Sequence, residues 1–179
     1  MTQATVPEKI GREYVESDTL PAENSAEVRD AYRKIARIND VRYEQIPVPV
    51  IWQEDDPYSD FQDMKESVER EGVFRVFSGG THPTGVLSRE ENIKGRAVHD
   101  WYGHLAAECD FSFSGEFTKW RHVRDAYPPE CAPVLFAEVV GQVSAAYYLE
   151  GGFSNDRFQQ RPCAAPARWI DAAREFALE

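Results

Sequence analysis

The 179-residue chain is poor in several things, and each shortage excludes something. No stretch approaches the ~20 uninterrupted apolar residues of a membrane-spanning helix, so no membrane association is expected. Cysteines number only three, Cys109, Cys131 and Cys163. Their odd count and wide spacing fit neither a zinc knuckle nor a disulfide framework, which predicts reduced thiols. Basic residues are in deficit, with 20 Lys and Arg against 31 Asp and Glu, a formal charge of −11. Such a surface repels phosphate backbones, so general nucleic-acid binding is not expected. The opening residues, MTQATVPEKIGREYVES, lack the apolar region of a signal peptide. With the reduced thiols, this predicts a cytoplasmic protein.

What the chain does have is core material: 42% hydrophobic and 12% aromatic residues. A chain of this length buries roughly 70% of its unfolded surface. The expected fold is a compact, mainly helical α+β domain with a small strand element before a histidine-bearing helix. Residues 1–25 are polar, contain Pro7 and Pro21, and read as a flexible N-terminal arm; residues 26–179 read as one globular domain. Ser25 offers an N-cap to an amphipathic helix from Ala26. Residues 46–52 are β-rich but hold two prolines, which predicts an edge strand or an extended segment. Residues 59–71 predict a helix stopped by Gly72, and residues 73–77 a short strand. A loop is expected over residues 78–85. Ser88 and Glu91 form the S-x-x-E capping box of the next helix, which is expected to run to about Glu108. Turn-like residues 110–117 and a basic patch, 119–124, lead to an apolar helix over 133–149 and a last helix after Pro166.

Chemistry concentrates between residues 96 and 142. His99 and His104 are five residues apart, about 140° on an ideal helix, and meet at one ion only if the turn distorts, which Gly103 permits. Paired imidazoles suit zinc, iron, copper or nickel. Glu138, alone among Leu, Phe, Ala and Val, costs several kcal/mol unless paired or bound to a cation. It is the expected third ligand, and an ion pair with Arg96 or Arg121 is the alternative. Two histidines and one carboxylate compose the facial triad of non-haem iron(II) enzymes, while the same set with zinc makes a hydrolytic site. Glu116 is open to three roles: ligand, general base or helix cap. Asp100 and Gln142 are expected to orient ligands or handle protons. Trp101, Tyr102, Phe111 and Phe113 are candidate pocket walls, and Arg121, His122 and Arg124 could hold an anionic group of a small-molecule substrate.

The string His99-Asp100-Trp101-Tyr102-Gly103-His104 resembles the H-[DE]-x-x-G-H segment of the pterin-dependent aromatic amino acid hydroxylases. In that family the two histidines bind iron and a later glutamate completes the triad, a placement to which Glu138 is similar. The resemblance covers about forty residues, and the family's pterin and substrate segments have no counterpart here. A broader resemblance, over about residues 46–169, is to poorly characterised proteins encoded by phages and prophages. Its shared elements include Arg96-Ala97-Val98-His99-Asp100, Gly103-His104, Gly115-Glu116 and Glu138-Val139-Val140-Gly141-Gln142, and it implies a host-cytoplasmic location. The preferred expectation is a mononuclear iron(II) oxygenase or hydroxylase, with zinc or manganese as alternative metals. A metal-dependent HD-type hydrolase is the first rival, although it needs a further histidine and His82 falls in a Gly-Pro loop. The second rival is a non-catalytic phage structural or host-interaction protein. The aromatic supply leaves room for a homo-oligomeric interface.

Overall fold

The computed structural model describes residues 4–79 and 85–177. Among the described residues helices dominate, with one two-stranded sheet ahead of the histidine helix, as the sequence predicts. The first departure is at the N-terminus. Instead of a flexible arm, Val6–Glu16 forms helix α1. Thr5 caps it: the Thr5 hydroxyl accepts from the Glu8 amide, and the Glu8 carboxylate accepts from the Thr5 amide at 2.7 Å. Ile10, Gly11 and Tyr14 are buried. A Cβ on Gly11 would lie 2.0 Å from the Ser144 carbonyl oxygen, so glycine lets two helix backbones touch. The polar composition of this segment hid a short apolar stripe at helical spacing.

Helix α2 (Ala26–Tyr43) starts at Ser25, whose side chain accepts from the Val28 amide, as expected. Strand β1 (Val50–Gln53) begins only after Pro49, because a proline has no amide proton to give to a ladder. Helix α3 (Phe61–Glu71), capped by Asp60, ends at Gly72 with φ +65°. It carries the chain over to strand β2 (Phe74–Phe77). The strands pair in parallel, Val50 opposite Phe74 and Gln53 opposite Phe77; the crossover through α3 is what a parallel pair requires. The expected loop over 78–85 includes residues 80–84, His82 among them, which lie outside the described residues.

Helix α4 (Arg89–Val98) has the predicted Ser88–Glu91 capping box. It passes without a break into a π-helical segment, His99–Leu105. Helix α5 (Phe113–Val123) begins inside the stretch expected to be a turn, with Ser112 as N-cap. Helix α6 (Ala132–Phe136), a π-helical turn (Ala137–Gly141) and helix α7 (Gln142–Tyr148) form one continuous rod. Helix α8 (Ala167–Phe176) follows Pro166, as predicted.

Two hydrophobic clusters result. The larger gathers Tyr14, Tyr32, Phe117, Trp120, Phe136 and Trp169 from α1, α2, α5, α6 and α8. The smaller packs Met64, Phe74, Val76, Ile93 and Ala97 between sheet, α3 and α4, with Trp101, Tyr102 and Leu105 against it. The π-helical end of α4 thus leans on one cluster while α5, which it also touches, belongs to the other. The three cysteines are buried and free. No helix among the described residues is long and apolar enough to cross a membrane.

Candidate metal centre

An α-helix cannot align residues five apart, but a π-helix, with its i to i+5 hydrogen bonds, nearly does. The Ala106 amide donates to the Trp101 carbonyl at 2.9 Å and the Cys109 amide to the His104 carbonyl at 3.2 Å. The result is that the His99 and His104 rings lie with centroids 4.9 Å apart and their Nε2 atoms 3.1 Å apart. The distortion anticipated at Gly103 is therefore a complete π-helical segment. His104 Nδ1 lies 2.8 Å from the Cys109 carbonyl oxygen, an acceptor only, so Nδ1 carries the proton. The chain reaches that carbonyl through Glu108 at φ +52°, a left-handed conformation that non-glycine residues adopt at a cost. Phe111 stands edge-on to the His104 ring at 4.7 Å.

With Nδ1 given to the Cys109 carbonyl, Nε2 is the His104 atom turned toward the centre. It lies 3.2 Å from Glu116 Oε1, and His99 Nε2 is 3.6 Å from the same oxygen. Asp100 Oδ1 approaches His99 Nε2 at 3.7 Å. His99, Asp100 and His104 each offer one ligand atom, all within 4.8 Å of one another, and this group can hold a metal ion. Glu116 Oε2 is buried and lacks a hydrogen-bond partner. Imidazole nitrogens and carboxylate oxygens thus crowd one largely buried place, which requires protons or a cation among them. The chemistry of the donor set fits a divalent ion.

Among the described residues, the cation paired with Glu116 is Lys119, one helical turn after it. Its Nζ lies 2.6 Å from Glu116 Oε2, an ion pair without hydrogen-bond geometry, and 2.6 Å from His99 Nδ1. Burial pushes the Lys119 ammonium down, opposed by Glu116 and Asp100. Burial works to raise the Glu116 carboxyl, but Lys119 and the histidines outweigh it and hold it well below the ordinary carboxylate range. His99 is lowered by burial and by Lys119, with Glu116 opposing. Exposure is one-sided. The side chains of His104, Glu116 and Lys119 are 1–4% exposed, those of His99 and Asp100 29% and 22%.

Glu138 is elsewhere engaged. Tyr32 OH donates to its Oε1, and the side-chain amides of Gln142 and Gln160 donate to its Oε2 at 2.9 and 2.7 Å. The anticipated cost of a lone acid is thus offset in part by three neutral donors, while Arg96 donates to the Phe77 carbonyl. Gln142 serves Glu138, and the carboxylates beside the histidine pair are Asp100 and Glu116. Trp101 packs edge-on against Phe74 at 5.4 Å, and Tyr102 donates to the Arg42 carbonyl under the Arg42 guanidinium. Both are sheet and helix packing. Arg121 and His122 are exposed on α5, because its buried face carries Phe113, Glu116, Phe117, Lys119 and Trp120. Arg124 lies over the Trp120 ring at 4.9 Å, and Phe113 packs on Phe176.

Lys119 escaped the sequence reading, submerged in a basic patch. Its signal was the spacing Glu116-x-x-Lys119 among residues that bury Phe117 and Trp120. No protein-family model matches the chain, and no curated protein or solved structure matches it either.

Proposed function

We propose that the protein is a mononuclear metal-dependent enzyme, an iron(II) oxygenase or hydroxylase, whose centre is His99, His104 and Glu116 with Asp100 at its open side. The observation that carries this reading is the fixed tautomer of His104. An N–H held by a backbone carbonyl, with the opposite nitrogen turned toward a second imidazole and a buried carboxylate, is how proteins prepare histidine for a metal. An ion bound there would supply open coordination positions and Lewis acidity for dioxygen and substrate.

The chain's own residues do the rest. The Cys109 carbonyl and Phe111 fix the His104 ring. Glu116 is shielded from water, which strengthens its pull on a cation. A small-molecule substrate enters from the side of His99 and Asp100. Asp100, the more accessible acid, is placed to accept or return a proton there. The resemblance of His99–His104 to the aromatic amino acid hydroxylase segment supports iron, and no counterpart of that family's pterin segment supports a pterin. The likeness to phage-encoded proteins supports a host-cytoplasmic setting.

The test is metal analysis of protein purified without an affinity tag that binds metal, followed by anaerobic reconstitution with Fe(II), Mn(II) and Zn(II). Stoichiometric iron lost in His99→Ala and Glu116→Ala, with oxygen uptake on reconstitution, is the expected result. Stoichiometric zinc or manganese with phosphoesterase activity would instead favour the hydrolase, for which the adjacency of His99 and Asp100 speaks. No metal at any occupancy would overturn both.

A further inference from the structure

We infer that Lys119 is a tethered counter-cation of this centre, which holds the place of the metal ion and sets how tightly a divalent ion binds. The inference rests on the metal reading above and adds a residue that governs affinity.

The lysine is built in. Its side chain is 1% exposed, and its stem runs across Gly103 so closely that a Cβ there would lie 2.2 Å from Lys119 Cδ and 2.5 Å from Cγ. Only glycine leaves that channel, so the sequence between the two histidines and the lysine on α5 are fitted to each other. The channel delivers Nζ to within 2.6 Å of Glu116 Oε2 and 2.5–2.6 Å of both ring nitrogens of His99. His99 Nε2 is one of the atoms that would ligate an ion, and Glu116 Oε2 belongs to the carboxylate that would share in holding it.

Charge gives the consequence. Glu116 and Asp100 bring two negative charges to the centre and Lys119 one positive. A lysine without Glu116, or Glu116 without a cation, would leave an uncompensated buried charge. A divalent ion satisfies the same acceptors and repels the ammonium at short range through a medium that screens poorly. Ion and ammonium are alternatives, so the ammonium must give way for an ion to bind tightly. The buried Glu116 charge thereby stays compensated when no divalent ion is bound.

The test is calorimetric titration of Zn(II) and Mn(II) into the full chain and into Lys119→Met and Lys119→Gln, with thermal melts in chelator and in excess Zn(II). Both variants are expected to bind Zn(II) at least about tenfold tighter than wild type, to melt lower than wild type in chelator, and to regain the difference with Zn(II). Binding seen in the variants alone also supports the inference. Equal or weaker affinity in the variants, with wild type binding Zn(II) through His99 and His104, overturns it and leaves the metal reading standing. Variants that stay unfolded even in Zn(II) overturn it as well, since the ion then fails to replace the ammonium. No binding by wild type or variants defeats the metal reading itself.

Discussion

His104 and the Cys109 carbonyl oxygen stand 2.8 Å apart across a turn that Glu108 closes in a left-handed conformation. One strained residue thereby determines which nitrogen of His104 is free.

This bond separates the two histidines energetically. His104→Ala removes a ring that is 1% exposed and orphans a buried carbonyl, whereas His99 is 29% exposed. In chelator, His104→Ala is expected to lose roughly 2–4 kcal/mol and His99→Ala about half of that or less, since large losses require core packing or orphaned polar groups. Both should lose Zn(II) affinity by at least about tenfold. Urea midpoints check the order; a costlier His99→Ala would contradict the assigned burial of the pair.

Glu116→Gln leaves Lys119 buried without its ion-pair partner, with only the more distant Asp100 to oppose its charge. Breaking one side of a buried pair costs about 3–5 kcal/mol, so this variant in chelator should unfold well below wild type. Glu116→Gln combined with Lys119→Met should recover most of the loss. A double variant no better than the single one would refute the coupling.

Burial raises the Glu138 carboxyl above its ordinary range, against the three hydrogen bonds that lower it. A group whose folded pKa exceeds its unfolded value contributes stability that is complete below the unfolded pKa and is lost as pH rises through the folded one. Wild type should therefore lose stability relative to Glu138→Gln as pH climbs from about 4 toward neutrality. Parallel stability curves across that window would count against the raised value.

Gly11→Ala drives a methyl into the Ser144 carbonyl. Overpacking of this kind costs roughly 1–3 kcal/mol, or more where the obstacle is backbone. A melting temperature unchanged by the substitution would mean that α1 does not pack on α7.

The Thr5–Glu8 and Ser88–Glu91 boxes show what was legible and what was not. The second was readable because apolar residues follow it at helical spacing. The first is the same motif, concealed by Pro7 and by neighbours of which only Ile10 and Tyr14 bury large side chains. The histidine pair was readable too, since it is local to one helix. Which of the candidate acids joins it was not. Glu116 reaches His104 from the next helix, across an intervening turn, and Glu138 finds Tyr32 and Gln160 at separations of 106 and 22 residues. Apolar company around an acid reveals that it is buried and needs partners. It does not reveal which partners, because that depends on how helices cross.

The centre also has a mechanical side. His99 and His104 ride on a helix end that leans on the sheet-side cluster, and Glu116 and Lys119 on a helix rooted in the other. An ion shared between them would rivet the two cores together. Occupancy would then be felt as stiffness far from the ligands, and amide exchange in α3 and the strands should slow on loading although none of those residues touches the ion.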